Sequence, residues 1–334
     1  MQMNTLGRSG LSLSHFGLGT MSLLTSNSES EAIHLTHKAL DAGINLIDTA
    51  DIYDNGAIET VLGKALKSRR DEVVLATKIG LPMHGDPQKS GGGRAWITEA
   101  VEDSLRRLGT DYIDLYQQHR PDLKTPLEET LRAFEDLIKA GKVRQIGSST
   151  FPAEMLIRAQ WAAERENLTG FVSEQAPYSI LVRGIEAEVL PTCQRYGMGA
   201  LVWSPLNGGW LTGKYRRNIE APEGSRAASG NPFVRADDEA KLTLVEQLAP
   251  LAEAAGMSLM QMSLAWTGAH PAVTSTLIGP RTEDQLDALL SAAEISLSAE
   301  LLDAIDEIVA PGRNVDPRNA GWTAEGLSKA MRRR

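Results

Sequence analysis

The residues with the clearest potential for chemistry are Asp48, Tyr53, Lys78 and His119. Asp48, Lys78 and His119 each lie at the end of a predicted strand, and Tyr53 follows Asp48 closely. A cation beside a phenol favours the phenolate, so Lys78 next to Tyr53 would ease proton transfer near neutral pH. Asp48 would keep the lysine charged and oriented, and His119 could donate to a substrate oxygen or share a proton with the tyrosine. The set suits protonation of a carbonyl oxygen while a hydride reaches its carbon.

Each of these residues also has a structural interpretation. A strand-end lysine or aspartate forms a structural ion pair about as often as it serves in catalysis, and a single tyrosine more often packs than acts as an acid. Their joint position at the ends of successive strands favours chemistry, because barrel enzymes carry their sites on that face. The remaining histidines show no metal-ligand spacing, so we predict no metal site.

The elements that must position these side chains follow a repeating strand and helix pattern. Short apolar runs bounded by turn residues alternate with segments of helical period. We predict strands at 16–20, 45–50, 73–78, 113–119, 143–149, 171–175, 200–204 and 275–279. Eight such units without a linker favour one closed (β/α)8 TIM barrel, an α/β fold, spanning residues 1–334 as a single domain.

Two features decorate this predicted barrel. Residues 4–13, with the turn Gly7-Arg8-Ser9-Gly10, indicate an N-terminal β-hairpin that closes the barrel's floor. The segments 80–94 and 206–236 are too long and too rich in Gly, Pro and polar residues to be simple connectors. Both follow strand C-termini, where long loops usually serve function.

Composition excludes several classes of protein. The formal net charge of -9 argues against the basic surface that binds nucleic-acid phosphates. No apolar window is long enough for a membrane span, and no signal peptide is evident. One cysteine, Cys193, permits no intrachain disulfide. We therefore expect a cytoplasmic protein that acts on a small molecule, with no nucleic-acid or membrane partner.

Two segments could hold phosphate groups, although no Gly-x-Gly-x-x-Gly fingerprint follows a strand. The first runs from Gly208 to Tyr215 and satisfies the spacing Gly-x-x-x-x-Gly-Lys, but a tyrosine replaces the hydroxyl residue of a P-loop. The second leaves the eighth strand as Ile278-Gly279-Pro280-Arg281, after which Thr282 and Gln285 form a predicted capping box. A helix N-terminus beside an arginine favours phosphate, although an ordinary capped helix with a surface arginine would look the same.

Over nearly its whole length the sequence resembles the aldo-keto reductases. The segments 48–53 (DTADIY), 76–78 (ATK) and 119–122 (HRPD) are similar to the family's catalytic-tetrad segments in order and spacing. The resemblance implies that Tyr53 is the general acid and that NADP(H) lies extended over the barrel mouth. It implies that Ser149 and Gln175 contact the carboxamide, Trp203 stacks on the nicotinamide and Arg281 pairs with the 2'-phosphate. The remaining implied cofactor residues are Gly19, Thr20, Ser204, Pro205, Leu206, Gly208, Lys214, Gly279 and Gln285.

The sequence departs from the family pattern at four cofactor positions. Thr150 and Leu289 each stand where the family commonly has Asn, and Trp203 replaces the commoner Tyr. Asn207 interrupts the usual Ser-Pro-Leu-Gly. None of these changes touches the four catalytic candidates, so they bear on cofactor affinity rather than on the class of reaction.

The predicted function is reversible NADP(H)-dependent reduction of an aldehyde or ketone to an alcohol. Two alternatives remain open at this stage, a Schiff-base lyase that uses Lys78 and a redox-sensing regulatory subunit that holds NADP(H). Arg94 or Arg120 would attract an acidic substrate group. The sequence leaves open the natural substrate, the physiological direction and the oligomeric state.

Overall fold

The computed structural model describes residues 1–229 and 234–322. Its strands are β1 (Met3–Thr5), β2 (Ser12–Ser14), β3 (Phe16–Gly19), β4 (Leu46–Asp48), β5 (Val74–Ile79), β6 (Ile113–Gln118), β7 (Val143–Ser149), β8 (Ser173–Pro177), β9 (Gly199–Trp203) and β10 (Val273–Ile278). Its helices are α1 (Glu29–Asp41), α2 (Ala57–Leu66), α3 (Arg94–Leu108), α4 (Leu127–Lys139), α5 (Ala153–Glu166), α6 (Val189–Arg195), α7 (Glu239–Ala254), α8 (Leu259–Ala269), α9 (Glu283–Leu290) and α10 (Ala299–Ile308).

Strands β3 to β10 form a closed parallel barrel, in which β10 pairs with both β3 and β9. This confirms the predicted (β/α)8 TIM barrel. The predicted strand at 171–175 begins two residues later, at Ser173, and Ser204 lies just beyond β9. Helices pack around the barrel through apolar faces. In α4, for example, Leu127, Leu131 and Phe134 are buried at helical spacing.

The N-terminal hairpin closes the floor of the barrel, as predicted. Strand β1 pairs antiparallel with β2, and Leu6 and Leu13 are fully buried. They belong to a separate apolar cluster with one residue from each of five barrel strands, namely Leu46, Ala76, Leu115, Leu201 and Leu277, and with Val172, which directly precedes β8. The bottom of the barrel is thus packed with side chains and is not a pore.

The interior changes from apolar to polar toward the strand C-termini. Side chains two residues apart on a strand share one face. Leu46 is therefore followed on the inside by Asp48, Ala76 by Lys78, and Leu115 by Gln117. The apolar floor thus supports a polar layer at the mouth, where the long segment between β5 and α3 and that between β9 and α7 also lie. Apart from residues 230–233, which lie outside the described ranges, the second segment is largely irregular, with a 3-10 turn at Asn207–Thr212.

Candidate active site

Asp48, Lys78 and Tyr53 form a continuous chain of contacts at the barrel mouth. Lys78 Nζ lies 2.6 Å from Asp48 Oδ2 and 3.2 Å from Tyr53 Oη. It also donates to the carbonyl oxygen of Thr49 at 2.8 Å. Asp48 and Lys78 are buried, whereas Tyr53 is half-buried. The three residues that the sequence places at two strand ends and a following turn are therefore brought together.

The contacts of Lys78 fix its charge. Burial acts against an ammonium ion, but Asp48 and Tyr53 outweigh that effect and raise the pKa of Lys78. Three acceptors, Asp48 Oδ2, Thr49 O and Tyr53 Oη, surround the amine. The lysine is therefore charged and held in place, which favours a role beside Tyr53 and disfavours attack on a carbonyl, for which a neutral amine is needed.

His119 completes the group on the other side of Tyr53. The two rings meet edge to face with centroids 5.9 Å apart. Burial, together with the charges of Lys78 and Arg120, lowers the pKa of His119 well below its ordinary value. Among the described residues, its Nδ1 has no hydrogen-bond partner. The imidazole is therefore neutral at physiological pH, and it can donate one hydrogen bond to a substrate oxygen without adding a second positive charge.

Two glutamines hold the opposite carboxylate oxygen of Asp48. Gln175 Nε2 donates to Asp48 Oδ1 at 2.7 Å, and Gln117 Nε2 donates to it at 3.2 Å. Gln117 was not identified as a site residue from the sequence. Its position two residues before His119 could have indicated it, because side chains two residues apart on a strand share one face. Gln175, predicted to contact a carboxamide, directs its amide nitrogen at Asp48 Oδ1 and at Gln117 Oε1. Asp48 is thus oriented from both sides.

The end of β7 carries a second polar group. Ser149 Oγ donates to the carbonyl oxygen of Gln175 at 2.9 Å and lies 3.3 Å from Thr150 Oγ1. Arg120 Nη1 donates to Thr150 Oγ1 at 2.9 Å and to His119 O at 2.7 Å. Arg120 therefore links the His119 side of the mouth to the Ser149 side. Arg94, the other predicted anion-binding arginine, instead forms an ion pair with Asp136 on α4, because it opens α3 on the outside of the barrel.

The segment after β9 follows a strained path. Ser204 and Asn207 have φ angles of 59° and 47°, and Thr150 beside them has 61°. Non-glycine residues rarely adopt this left-handed region, and such residues cluster at functional sites. Trp203 is half-buried at the strand end, Pro205 is buried and Leu206 is half-buried between two apolar clusters. These residues form a platform beside Ser149 and Gln175.

Three cations gather further along the mouth. Lys214, Arg226 and Arg281 form no ion pair with a carboxylate in the described parts of the chain. Burial and the charge of Arg281 lower the pKa values of both Lys214 and Arg226. Arg226 was not identified as a site residue from the sequence. The one sequence signal for it is its place in the long segment 206–236. Three like charges held together in a partly buried position indicate an anion site.

Backbone shape completes this anion site. Gly208 and Gly209 have φ angles of 68° and 100°. A Cβ on Gly209 would lie 2.5 Å from Lys214 Cε, so a side chain there would displace the lysine, and the φ of 100° itself favours glycine. Arg281 Nη2 donates to Gly224 O at 3.0 Å, which fastens the long loop to the end of β10. Gly208, Lys214 and Arg281, predicted from two separate motifs, therefore lie around one site.

The predicted capping box at Arg281 is wrong in one detail. Thr282 caps α9 by accepting from Gln285 N at 3.2 Å, but Gln285 Oε1 accepts from Arg281 N at 2.9 Å. The side chain turns back one residue further than a capping box requires and so fixes the backbone of Arg281. The ends of β3 and β10 approach closely at Gly19 and Gly279, and Thr20, directly after β3, donates its Oγ1 to Asp48 O at 2.9 Å.

Comparison with known proteins identifies the family. The sequence profile described as the aldo/keto reductase family matches residues 15–310, which is most of the chain. The chain belongs to the aldo/keto reductase family. Its members are oxidoreductases that generally bind NAD(P)H. The resemblance drawn from the catalytic segments is therefore confirmed.

Individual relatives of this aldo/keto reductase fall into two groups. The chain is 39% identical to an uncharacterized oxidoreductase, YrpG, from Bacillus subtilis, over 96% of this chain and 100% of the relative. It is also 39% identical to a putative voltage-gated potassium channel subunit beta from Schizosaccharomyces pombe, over 91% of this chain and 92% of that one. A probable voltage-gated potassium channel subunit beta from rice is 36% identical, over 92% of this chain and 97% of the rice protein.

The structure gives physical reasons for two departures from the aldo/keto reductase pattern. Position 207 needs a positive φ, which glycine adopts freely and which asparagine tolerates better than most residues, so Asn207 preserves the backbone path. Leu289 points into the core from the buried face of α9, so its side chain does not reach the mouth. Thr150 keeps the positive φ with a β-branched residue, which is strained.

The described ranges also limit other kinds of site in this aldo/keto reductase. Within residues 1–229 and 234–322, no group of three or more His, Cys, Asp or Glu side chains is placed to hold a metal ion. No helix in the same ranges is both long enough and apolar enough to cross a bilayer.

Proposed function

We propose that this aldo/keto reductase transfers a hydride reversibly between NADP(H) and the carbon of an aldehyde or ketone, with Tyr53 as the proton donor. The observation that carries the proposal is the chain of contacts from Asp48 through Lys78 to Tyr53. It supplies a phenol whose conjugate base is stabilised by a fixed ammonium ion, which is what protonation of a carbonyl oxygen requires.

The residues at the mouth fit a phosphorylated dinucleotide. Lys214, Arg226 and Arg281 provide three cations without carboxylate partners in the described part of the chain, which suits a pyrophosphate and a 2'-phosphate. Trp203 would offer its ring to the nicotinamide, near Ser149 and Gln175. The bound dinucleotide would supply the hydride. The protein would orient the substrate carbonyl and supply the proton.

The protein's own steps follow from the contacts. Tyr53 Oη gives its proton to the substrate oxygen, and Lys78 at 3.2 Å stabilises the resulting phenolate. Asp48 keeps Lys78 charged, and Gln117 and Gln175 keep Asp48 oriented. Neutral His119 donates to the same substrate oxygen and orients the carbonyl. In the reverse direction Tyr53 accepts the proton of an alcohol.

The test is NADPH oxidation with a panel of aldehydes, ketones and dicarbonyls, repeated with NADH and with Tyr53→Phe. We expect turnover that prefers NADPH and falls by about 10²–10⁴ in Tyr53→Phe, while NADPH binding stays unchanged, because the variant loses only the proton donor. Turnover that survives in Tyr53→Phe would contradict the assignment.

We further propose that the barrel is a single domain and that the reaction takes place in the cytoplasm. Fractionation of cells would test the location.

The names of the relatives favour a second candidate. Two of them are named as beta subunits of a voltage-gated potassium channel, a name that describes a part of a larger assembly and not an enzyme. The second proposal is a subunit that holds NADP(H) and regulates a partner. Tight NADPH binding without turnover of any carbonyl in the panel would favour it over the enzyme. Trapping of a substrate on Lys78 by borohydride would instead support the Schiff-base alternative. The ion pair of Lys78 with Asp48 opposes it, because that pair favours the charged amine.

A further inference from the structure

The chain beyond α10 runs back over the carboxyl-terminal mouth of the barrel. Asn314 pairs with Val182, and its side-chain oxygen accepts from Gly184 N at 2.7 Å. Residues 316–322, called here the C-terminal segment, continue from this point and include a 3-10 turn at Pro317–Ala320. The segment is therefore anchored at its start to the loop after β8, on the nicotinamide side of the proposed site.

A buried lysine on α7 holds the middle of the C-terminal segment. Lys241 is 2% exposed, and its Nζ donates to Asn319 Oδ1 at 2.7 Å. The carboxylates of Asp238 and Asp316 lie 3.9 Å away, beyond hydrogen-bond distance. Within the described ranges, Asn319 is thus the one close acceptor of this buried ammonium ion. Burial of such a charge is unfavourable without a partner, so Lys241 favours the docked position of the segment.

The same asparagine touches the cofactor side. Asn207 Nδ2 lies 3.5 Å from Asn319 Oδ1, and Asn207 begins the turn that contains Gly208. Asn319 therefore stands between Lys241 on α7 and the start of the proposed phosphate loop. The catalytic contacts of Asp48, Lys78 and Tyr53 do not involve this cluster.

Two residues later the C-terminal segment presses on the platform. Gly321 has φ of 75°, and a Cβ added there would lie 2.8 Å from Thr150 Cγ2, 3.2 Å from Pro177 Cγ and 3.3 Å from Trp203 Cζ2. Gly321 thus lies beside the edge of the indole ring, with less space between them than a methyl group needs. Only a residue without a side chain fits between Thr150 and Trp203 at this backbone angle.

We infer that Lys241 is a positioning residue for the dinucleotide: by pinning Asn319 it holds the C-terminal segment against Trp203 and so fixes the ring on which the nicotinamide stacks. The inference rests on the proposed NADP(H) site. The Lys241–Asn319 contact, called here the brace, acts on the nicotinamide end through the packing of the C-terminal segment on Trp203. Arg226 and Arg281, which would hold the adenosine phosphates, make no contact with Lys241 or Asn319 in the described part of the chain. Loss of the brace should therefore weaken binding of the whole dinucleotide but not of its adenosine half.

The experiment compares two ligands in direct binding assays, NADP⁺ and adenosine 2',5'-bisphosphate, on the full chain. We expect Lys241→Met and Asn319→Ala each to weaken NADP⁺ binding three- to tenfold and to leave adenosine 2',5'-bisphosphate binding within twofold. Gly321→Ala should act in the same direction, because its methyl group displaces the segment. The double variant Lys241→Met/Asn319→Ala should bind NADP⁺ no more weakly than either single variant, because both substitutions remove the same Lys241–Asn319 contact. Lys139→Met, on the exposed face of α4, is the matched control.

Trypsin cleavage after Arg318 gives an independent readout that needs no cofactor. Release of the C-terminal segment should speed this cleavage several-fold in Lys241→Met and leave it unchanged in Lys139→Met. NADP⁺ affinity within twofold of the wild type in all three single variants would overturn the inference, as would an equal loss of both ligands. A wild-type chain that binds neither ligand would overturn the NADP(H) proposal itself, and the inference with it.

Discussion

Single residues in the left-handed backbone region border the proposed cofactor site on two sides. Thr150, Ser204 and Asn207 all have positive φ angles, and each follows a barrel strand or its turn. Their strain is maintained by hydrogen bonds and packing around them. Thr150, for example, is held by a hydrogen bond from Arg120 and by backbone donation to Gln175. The least suitable residue of the three is the β-branched Thr150.

Thr150→Asn should stabilise the protein. Asparagine tolerates φ near 60° better than threonine, and its amide oxygen can replace Oγ1 as the acceptor for Arg120. We expect the free energy of unfolding to rise by about 1 kcal/mol, measured by chemical denaturation. Thr150→Val removes the acceptor without relieving the strain and should destabilise. An Asn variant that is as unstable as the Val variant would show that the methyl group against Gly321 matters more than the backbone.

Arg226 should control cofactor choice together with Arg281. If both guanidinium groups face the 2'-phosphate, Arg226→Ala removes one charge-assisted contact and weakens NADP⁺ binding by about tenfold. NAD⁺ binding, which lacks that phosphate, should change by less than threefold. Isothermal titration with both dinucleotides measures this difference. Arg235→Ala, whose arginine pairs with Asp237 in the same loop, is the control and should leave both affinities unchanged.

Among the elements, helices α2 and α3 pack closely against each other next to the turn at Tyr53–Gly56. Gly63 lies in the middle of α2, where a Cβ would approach Arg107 O to 2.6 Å and Leu108 to 2.8 Å at the end of α3. These are backbone atoms, so the contact cannot be relieved by a rotamer change. Arg107 in turn forms an ion pair with buried Glu59, which accepts from Thr77 next to Lys78.

Gly63→Ala should therefore destabilise the protein, although alanine is the better helix former. We expect a loss of roughly 1–3 kcal/mol, the range typical of overpacking, seen as a lower midpoint in urea. Lys64→Ala, one residue further on an exposed face, should change stability by less than about 0.5 kcal/mol. A Gly63→Ala variant that is more stable than the wild type would mean that α2 and α3 can separate without cost.

For the whole molecule, two buried carboxyl groups give stability a dependence on pH. Burial and the nearby charge of Glu59 raise the pKa of Asp51 to about 7, and burial raises the pKa of Glu174 to about 8. Both are nearly inaccessible, and neither oxygen of Asp51 has a partner among the described residues. The folded state therefore binds protons more tightly than the unfolded chain, whose ordinary carboxyl groups release them at about pH 4.

The stability supplied by these protons is present in full below about pH 4 and is lost as the pH rises to 7 for Asp51 and 8 for Glu174. Asp51→Asn should remove the Asp51 part of this loss. Relative to the wild type, its free energy of unfolding should gain roughly 1–3 kcal/mol between pH 5 and pH 8, measured by denaturation at each pH. Asp303→Asn on the exposed side of α10 should follow the wild type. Parallel curves for Asp51→Asn and the wild type would contradict the assignment.

The sequence by itself determined the barrel and the candidate residues at its mouth. Alternation of apolar runs with helical segments is a local pattern, and eight such units without a linker favour one closed barrel over two open sheets. Asp48, Lys78 and His119 were found because strand ends in such a barrel must meet at one mouth. The long segments were recognised for the same reason, since surplus polar residues mark departures from the repeat.

Only the tertiary structure decided which residues from distant parts of the chain share a site. Gln117 and Gln175 on Asp48, Arg226 beside Lys214 and Arg281, and Asn319 against Lys241 depend on side-chain directions and on the paths of irregular loops. No local period encodes these contacts, because loops follow whatever route their caps, glycines and buried partners permit. The same is true of charge, since burial and neighbouring groups alone hold Lys78 positive and His119 neutral.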